Sequence, residues 1–176
     1  MQPRELLRFA VPLALQLAVL GAIPAGQLWI RATGQTVRLR TAPVDPYDIF
    51  SGYYMTLSYE ISSQGNLPGL EKLKLERGDS LYVLLAPGAD QVWKAVSVHK
   101  DKPPVPPGQA VIRGRYGGWR SVEYGIEAYY IPEEVRQEMA GVFRENRNSA
   151  IVEVKVSSSG TAAIERIHAG GRTYEY

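Results

Sequence analysis

The side chains in this sequence that could do chemistry are a scattered set of carboxylates, one serine and a run of tyrosines. Asp45, Asp48, Glu60, Glu123 and Glu127 would meet if the strands that carry them are neighbours, because Glu60 lies on the polar face of one alternating segment and Glu123 and Glu127 share a face of another. Paired carboxylates do acid-base work or bind a divalent cation. Solvated faces and turn caps are the simpler account, since Asp45-Pro46 and Asp48 are ordinary turn initiators. Ser51 with Lys94 or Lys100 would make a serine–lysine hydrolase, and such a lysine has to be buried before it can act as the base. Tyr53, Tyr54, Tyr59, Tyr124, Tyr129 and Tyr130 could line a binding groove, each giving a large contact area with a polar tip, or could pack across strands.

The remaining chemistry is narrow. With no Cys there is no thiolate metal site, no cysteine nucleophile and no disulfide framework. The two histidines, His99 and His168, each stand in or at the end of a strand-like segment without a second ligand at metal spacing. The sequence carries no P-loop, dinucleotide fingerprint, His-Glu-x-x-His or nucleophile elbow, so no motif calls for a cofactor or a metal. The 20 Lys and Arg against 18 Asp and Glu leave a formal charge of +2, spread along the chain, which makes nucleic acid an unsuitable partner.

At 176 residues the chain is long enough for one domain with a real core plus a terminal segment. The elements that must position the candidate residues are mostly strands, as 17 Gly and 12 Pro suggest. Thr36–Thr41 alternates Val37 and Leu39 against Thr36, Arg38 and Arg40. Met55–Ser62 sets Met55, Leu57, Tyr59 and Ile61 on a core face. Gln64–Asp79 reads as a loop with at most a short helical turn, Ser80–Ala86 as a central strand, and Gln91–His99 as its hairpin partner. The proline-rich Lys100–Gly108 reads as an extended surface connection. Gln109–Tyr116 and Arg120–Ile131 read as two further strands, the second with Val122, Tyr124, Ile126, Ala128 and Tyr130 on one face. The period changes at Pro132, where one helix is expected with Val135, Met139, Val142 and Phe143 on its apolar side. Ile151–Val156 and Thr161–Ile167 form a final hairpin. The expected fold is mainly β with minor α: about eight strands in an antiparallel β-sandwich or open barrel, with one packed helix.

Ahead of this domain, Phe9 to Ile30 is uncharged, and as a helix it would run about 33 Å, enough to cross a bilayer. A buried soluble helix would need a polar face, which Val11–Leu20 lacks. A cleaved signal peptide would have a shorter apolar run and a better site than Ile23-Pro24-Ala25. The reading is therefore a short tail over residues 1–8, a transmembrane anchor over 9–30 and a mainly-β domain over 31–176. Arg4 and Arg8 precede the span and Arg31, Arg38 and Arg40 follow it, so the charge comparison is nearly even. A short arginine-bearing tail before a first apolar segment places the domain outside the cytoplasm.

The run Gly52-Tyr-Tyr-Met-Thr-Leu-Ser-Tyr59 resembles the motif of the bacterial family named for Gly-Asp-Tyr-x-x-Leu-x-Tyr, GDYXXLXY, with Tyr53 in place of the motif Asp. Asp45, Pro46 and Asp48 fit the turn ahead of that motif. Tyr124, Gly125, Ile126, Glu127, Tyr129, Tyr130, Pro132 and Glu133 fit a later stretch in which Tyr130 replaces Phe. The resemblance implies a single-pass, membrane-anchored bacterial domain, often beside a polytopic membrane protein, and implies no reaction. Two functions follow. One is an accessory domain that binds an integral membrane protein or an extracytoplasmic ligand through Asp45, Asp48, Gly52, Tyr54, Tyr124, Glu127, Tyr129 and Tyr130. The other is a tethered hydrolase using Ser51 with a lysine, or the carboxylates Glu60, Glu123 and Glu127.

Overall fold

Val37 and Leu39 point one way from β1 (Gln35–Ala42) and Arg38 and Arg40 the other, and the neighbouring strand continues the inner row with Val152 and Val154. The computed structural model describes residues 3–42, 50–51, 54–118, 121–131, 133–135, 139, 141–142 and 150–175. After β1 come β2 (Phe50–Ser51), β3 (Tyr54–Thr56), β4 (Ser58–Tyr59), β5 (Ser80–Pro87), β6 (Trp93–His99), β7 (Ala110–Gly118) and β8 (Ser121–Glu123). The chain continues through β9 (Ala128–Tyr130), β10 (Ile151–Val156), β11 (Ala162–Ala169) and β12 (Arg172–Tyr174). They form three antiparallel sheets, in the orders β12-β11-β10-β1-β4, β2-β3-β9 and β6-β5-β7-β8. No pairing closes these sheets into a barrel among the described residues.

One hydrophobic cluster lies between the two larger sheets. From the five-stranded sheet come Val37 opposite Val154 and Leu39 opposite Val152, with Ile164 and Ile167 next in register. From the other come Leu81, Val83 and Leu85 of β5 and Ile112 of β7, all fully buried. Each such aliphatic side chain contributes about 1.5–3 kcal/mol by leaving water. The sheets are also joined at a corner, where the Arg113 amide donates to the Gly160 carbonyl at 2.8 Å.

Several expectations are borne out: β5 is central with β6 and β7 on its two sides, Lys100–Gly108 carries no strand, and β10 and β11 form the late hairpin. Others need correction. The segment Met55–Ser62 is not one strand. Its odd-numbered side chains are buried as expected, but β3 pairs with β9, β4 pairs with β1, and Glu60–Ser62 turns into a 3-10 helix. The change of sheet falls at Leu57, whose amide donates to the Glu127 carbonyl at 2.6 Å. Arg120–Ile131 is likewise two strands, β8 and β9, separated by a bend at residues 124–127. The alternation runs through Val122, Tyr124 and Ile126 and then reverses, leaving Ala128 and Tyr130 exposed and Tyr129 and Ile131 buried. These breaks, together with the short strands β2 and β12, raise about eight strands to twelve among the described residues. Of the expected helix, residues 133–135, 139 and 141–142 are helical, Met139 is fully buried, and Val135 and Val142 pack against the core. Pro132 and Phe143 lie outside the described residues.

The amino-terminal helix α1 (Pro3–Thr33) is longer than the expected span on both sides. Its stretch Arg8–Thr33 is long and apolar enough to cross a membrane, and its described side chains are exposed except for the half-buried Ile30, with Phe9, Leu15, Leu20 and Leu28 each about two-thirds or more accessible. Its last turn meets β10 and β11. There Gly34 permits a close approach, because a Cβ on it would come within 3.0 Å of the Lys155 Cβ.

On the outer face of the five-stranded sheet, Glu153 is 4% exposed and is ringed by basic side chains. Arg38 Nε lies 2.8 Å from one carboxylate oxygen, His168 Nε2 lies 3.4 Å from the same oxygen, and Arg166 Nη1 lies 3.5 Å from the other. Burial alone would raise the Glu153 pKa, but the Arg38 hydrogen bond and charge, with His168 and Arg166 behind it, hold it below the ordinary value of 4.5. A carboxylate with a lowered folded-state pKa adds stability above its unfolded value, and that stability is lost as pH falls through the folded value. Glu153→Gln should therefore cost about 1–2 kcal/mol at neutral pH, the partners being exposed enough to screen part of the effect. Urea denaturation at several pH values should also find a shallower loss of stability below pH 4.5 in the variant than in the parent.

Candidate functional site

Two stretches singled out in the sequence, Tyr54–Tyr59 and Tyr124–Tyr130, meet in space and fasten each other. The Tyr59 hydroxyl donates to the Ile126 carbonyl at 2.6 Å, and the Tyr124 hydroxyl donates to the Ile61 carbonyl at 2.6 Å. Each tyrosine thus reaches the residue two places beyond the other, and both bonds are buried. Next to them Leu57 bonds the Glu127 carbonyl, and β3 and β9 pair with Tyr54 opposite Tyr130 and Met55 opposite Tyr129. Burial first, and the Glu127 carboxylate second, push both phenols upward, so each stays an O–H donor.

The bend between β8 and β9 is set by two residues. Gly125 adopts φ +77, a left-handed conformation that glycine takes without steric cost. Glu127 turns its carboxylate back to accept the amides of Tyr124 at 2.5 Å and Gly125 at 2.8 Å, one on each oxygen. Both oxygens are therefore held by the turn. The Tyr124 ring lies over Gly114 of β7, where a Cβ would stand 3.1 Å from the ring and 2.5 Å from Val122.

The candidate residues divide between two recesses. Tyr124 and Glu127 line a polar cavity of about 390 Å³ with Arg113, Arg115 and Glu123. Tyr129 and Tyr130 line a second groove of about 560 Å³ that reaches Gln27 and Arg31 of α1. Tyr54 lines neither. Its ring stands 6.1 Å from that of Tyr130 at an angle of 59°, an ordinary tilted pair, and Tyr130 is 72% exposed. Asp45, Asp48, Gly52 and Tyr53 lie outside the described residues.

The described residues of the catalytic alternatives do not all line one recess. Glu123 and Glu127 share the polar cavity, whereas Glu60 opens a 3-10 turn and does not line it. Among the described residues no group of three His, Asp or Glu side chains could hold a metal ion. Ser51 lies on β2, and Lys94 and Lys100 are both exposed, so neither has the burial a serine–lysine mechanism requires.

The atoms that complete the fastening are the carbonyls of Ile61 and Ile126, which no side-chain motif announces. A signal was present nonetheless: Tyr59-Glu60-Ile61 and Tyr124-Gly125-Ile126 are the same Tyr-x-Ile triplet. Gly114 and the groove residues Gln27 and Arg31 carry no such signal in the sequence, because their placement depends on what approaches them.

The family model of the GDYXXLXY protein matches residues 16–167, and the chain belongs to that family. No curated protein and no solved structure matches it.

Tyr59→Phe and Tyr124→Phe each remove one hydroxyl and leave a buried carbonyl without its donor, which should cost about 1–3 kcal/mol. Because the two bonds hold the same pair of segments, the double variant should depart from additivity by at least about 0.5 kcal/mol in chemical denaturation. Strictly additive losses would mean that the bonds act independently.

Proposed function

We propose that this member of the GDYXXLXY family is a membrane-anchored accessory domain that binds another integral membrane protein or an extracytoplasmic ligand. Residues 9–30 are the anchor, residues 1–8 a short inner tail, and residues 31–176 a domain on the far side of a bacterial membrane. The observation that carries this reading is the way the signature stretches are used. Tyr59, Tyr124 and Glu127 are occupied in holding the fold, while Tyr54 and Tyr130 form an outward aromatic pair on the same two strands. Exposed aromatics on a rigid sheet are the usual anchors of a protein interface. The exposed apolar surface of α1 supports the tether, since such a surface is stable only in lipid or against another apolar face.

The full chain should stay in the membrane fraction through an alkaline wash, and deletion of residues 9–30 should release it. Mild detergent extraction and pull-down should recover a defined partner. Tyr130→Ala should weaken that association about tenfold, the scale of one aromatic anchor. Failure to recover a partner under several mild conditions, or full retention by Tyr54→Ala and Tyr130→Ala together, would count against the proposed surface.

A further inference from the structure

The groove between the last turn of α1 and the β9–β11 region shares Ile126 with the fastening and Tyr130 with the aromatic pair, and extends beyond both to Gln27 and Arg31. We propose that it binds one anionic phospholipid, with the phosphate at Arg31 and an acyl chain along the groove floor. The proposal rests on the membrane-anchor reading, which sets the depth of the groove. Trp29 is 70% exposed and sits at the end of the span, where an aromatic ring settles at headgroup level. Gln27 and Arg31 lie two residues to either side of it, about 3 Å along the helix axis. The groove therefore opens at the level where lipid headgroups meet water.

Its chemistry matches an amphiphile of one sign. The floor includes edges of the buried Ile126, Ile131 and Ile164 with the exposed Ala128 beside them, and Gln27, Arg31 and Tyr130 are lining groups that can donate to an anion. No described lining residue is a carboxylate. Arg31 makes no ion pair among the described residues, whereas Arg38, Arg40 and Arg166 all do. A guanidinium with its fork free is suited to a phosphodiester, which it can meet through two parallel hydrogen bonds. Arg31 also complements the carboxy-terminal end of the α1 dipole. That accounts for a cation at this position but not for the recess beside it. At about 560 Å³ the groove falls within the range of small-molecule sites, about 300–1,000 Å³, and takes a headgroup and part of one chain.

The test is native mass spectrometry of the full chain in detergent, titrated with phosphatidylglycerol or phosphatidylcholine. The parent should retain one phosphatidylglycerol about fivefold more tightly than phosphatidylcholine, the scale expected of one arginine at an anionic surface. Arg31→Gln should abolish the preference. Ala128→Trp, which fills the groove from an exposed position, should reduce retention of both lipids while leaving the melting temperature unchanged. Arg8→Gln, at the other end of the span, should keep the preference. The proposal is overturned if Arg31→Gln still discriminates between the lipids, or if only Arg8→Gln loses discrimination. Displacement of the lipid by millimolar inorganic phosphate would overturn it too, because the site would then read a phosphate without its chain. An alkaline wash of the same preparations separates the two readings. A chain released from the membrane sinks the anchor, while a chain that stays but shows no lipid preference sinks the lipid site alone.

Discussion

Two buried phenols that each donate to a carbonyl beside the other are the constraint on which the rest of this domain depends. Tyr59 reaches Ile126 and Tyr124 reaches Ile61 across separations of 67 and 63 residues. A hydroxyl buried without a partner is costly, and so is a carbonyl, so the pair satisfies four polar groups that the core would otherwise exclude. The bonds also give the described tyrosines and leucine of the family signature a structural role. Leu57 and Tyr59 are buried on one side of the meeting point, and Tyr124, Ile126 and Glu127 supply the other.

Much of the fold was legible because period-two alternation survives wherever a strand has one wet face. Val37 and Leu39, Met55 to Ile61, and the β10–β11 hairpin all announce their buried side in the sequence. What alternation cannot report is which sheet a strand belongs to. Met55, Leu57, Tyr59 and Ile61 remain buried although the backbone changes partners at Leu57, so the pattern continues across the break. The opposite error arises at residues 124–127. There Gly125 and Glu127 build a bend that reverses the pattern, and Tyr130 becomes exposed where strict alternation would bury it with Val122 and Tyr124. The Tyr54–Tyr130 pair could not be read beforehand, because it depends on a register between segments far apart in the chain. The tyrosines and Glu127 were legible as important residues, but their division into fastening and outward surface was not.

The outer face of the five-stranded sheet works on a different principle. Glu153 lies opposite Arg38 and Arg166 in register, so one carboxylate serves three strands at once. A buried charge of this kind is tolerable only while its partners stay in place. The face is therefore ordered by electrostatics where the inner one is ordered by packing.

Because the two halves of the tyrosine fastening hold the chain together at Tyr59–Ile61 and Tyr124–Ile126, everything between them is a closed loop with its own sheet. The entropic cost of closing such a loop grows only with the logarithm of its length. The β5 to β8 sheet can accordingly be lengthened, trimmed or decorated at its far turns with little effect on the junction that carries it. The domain is thus organised around one fixed junction from which the β5 to β8 excursion departs and to which it returns, with its inner face packed into the common core.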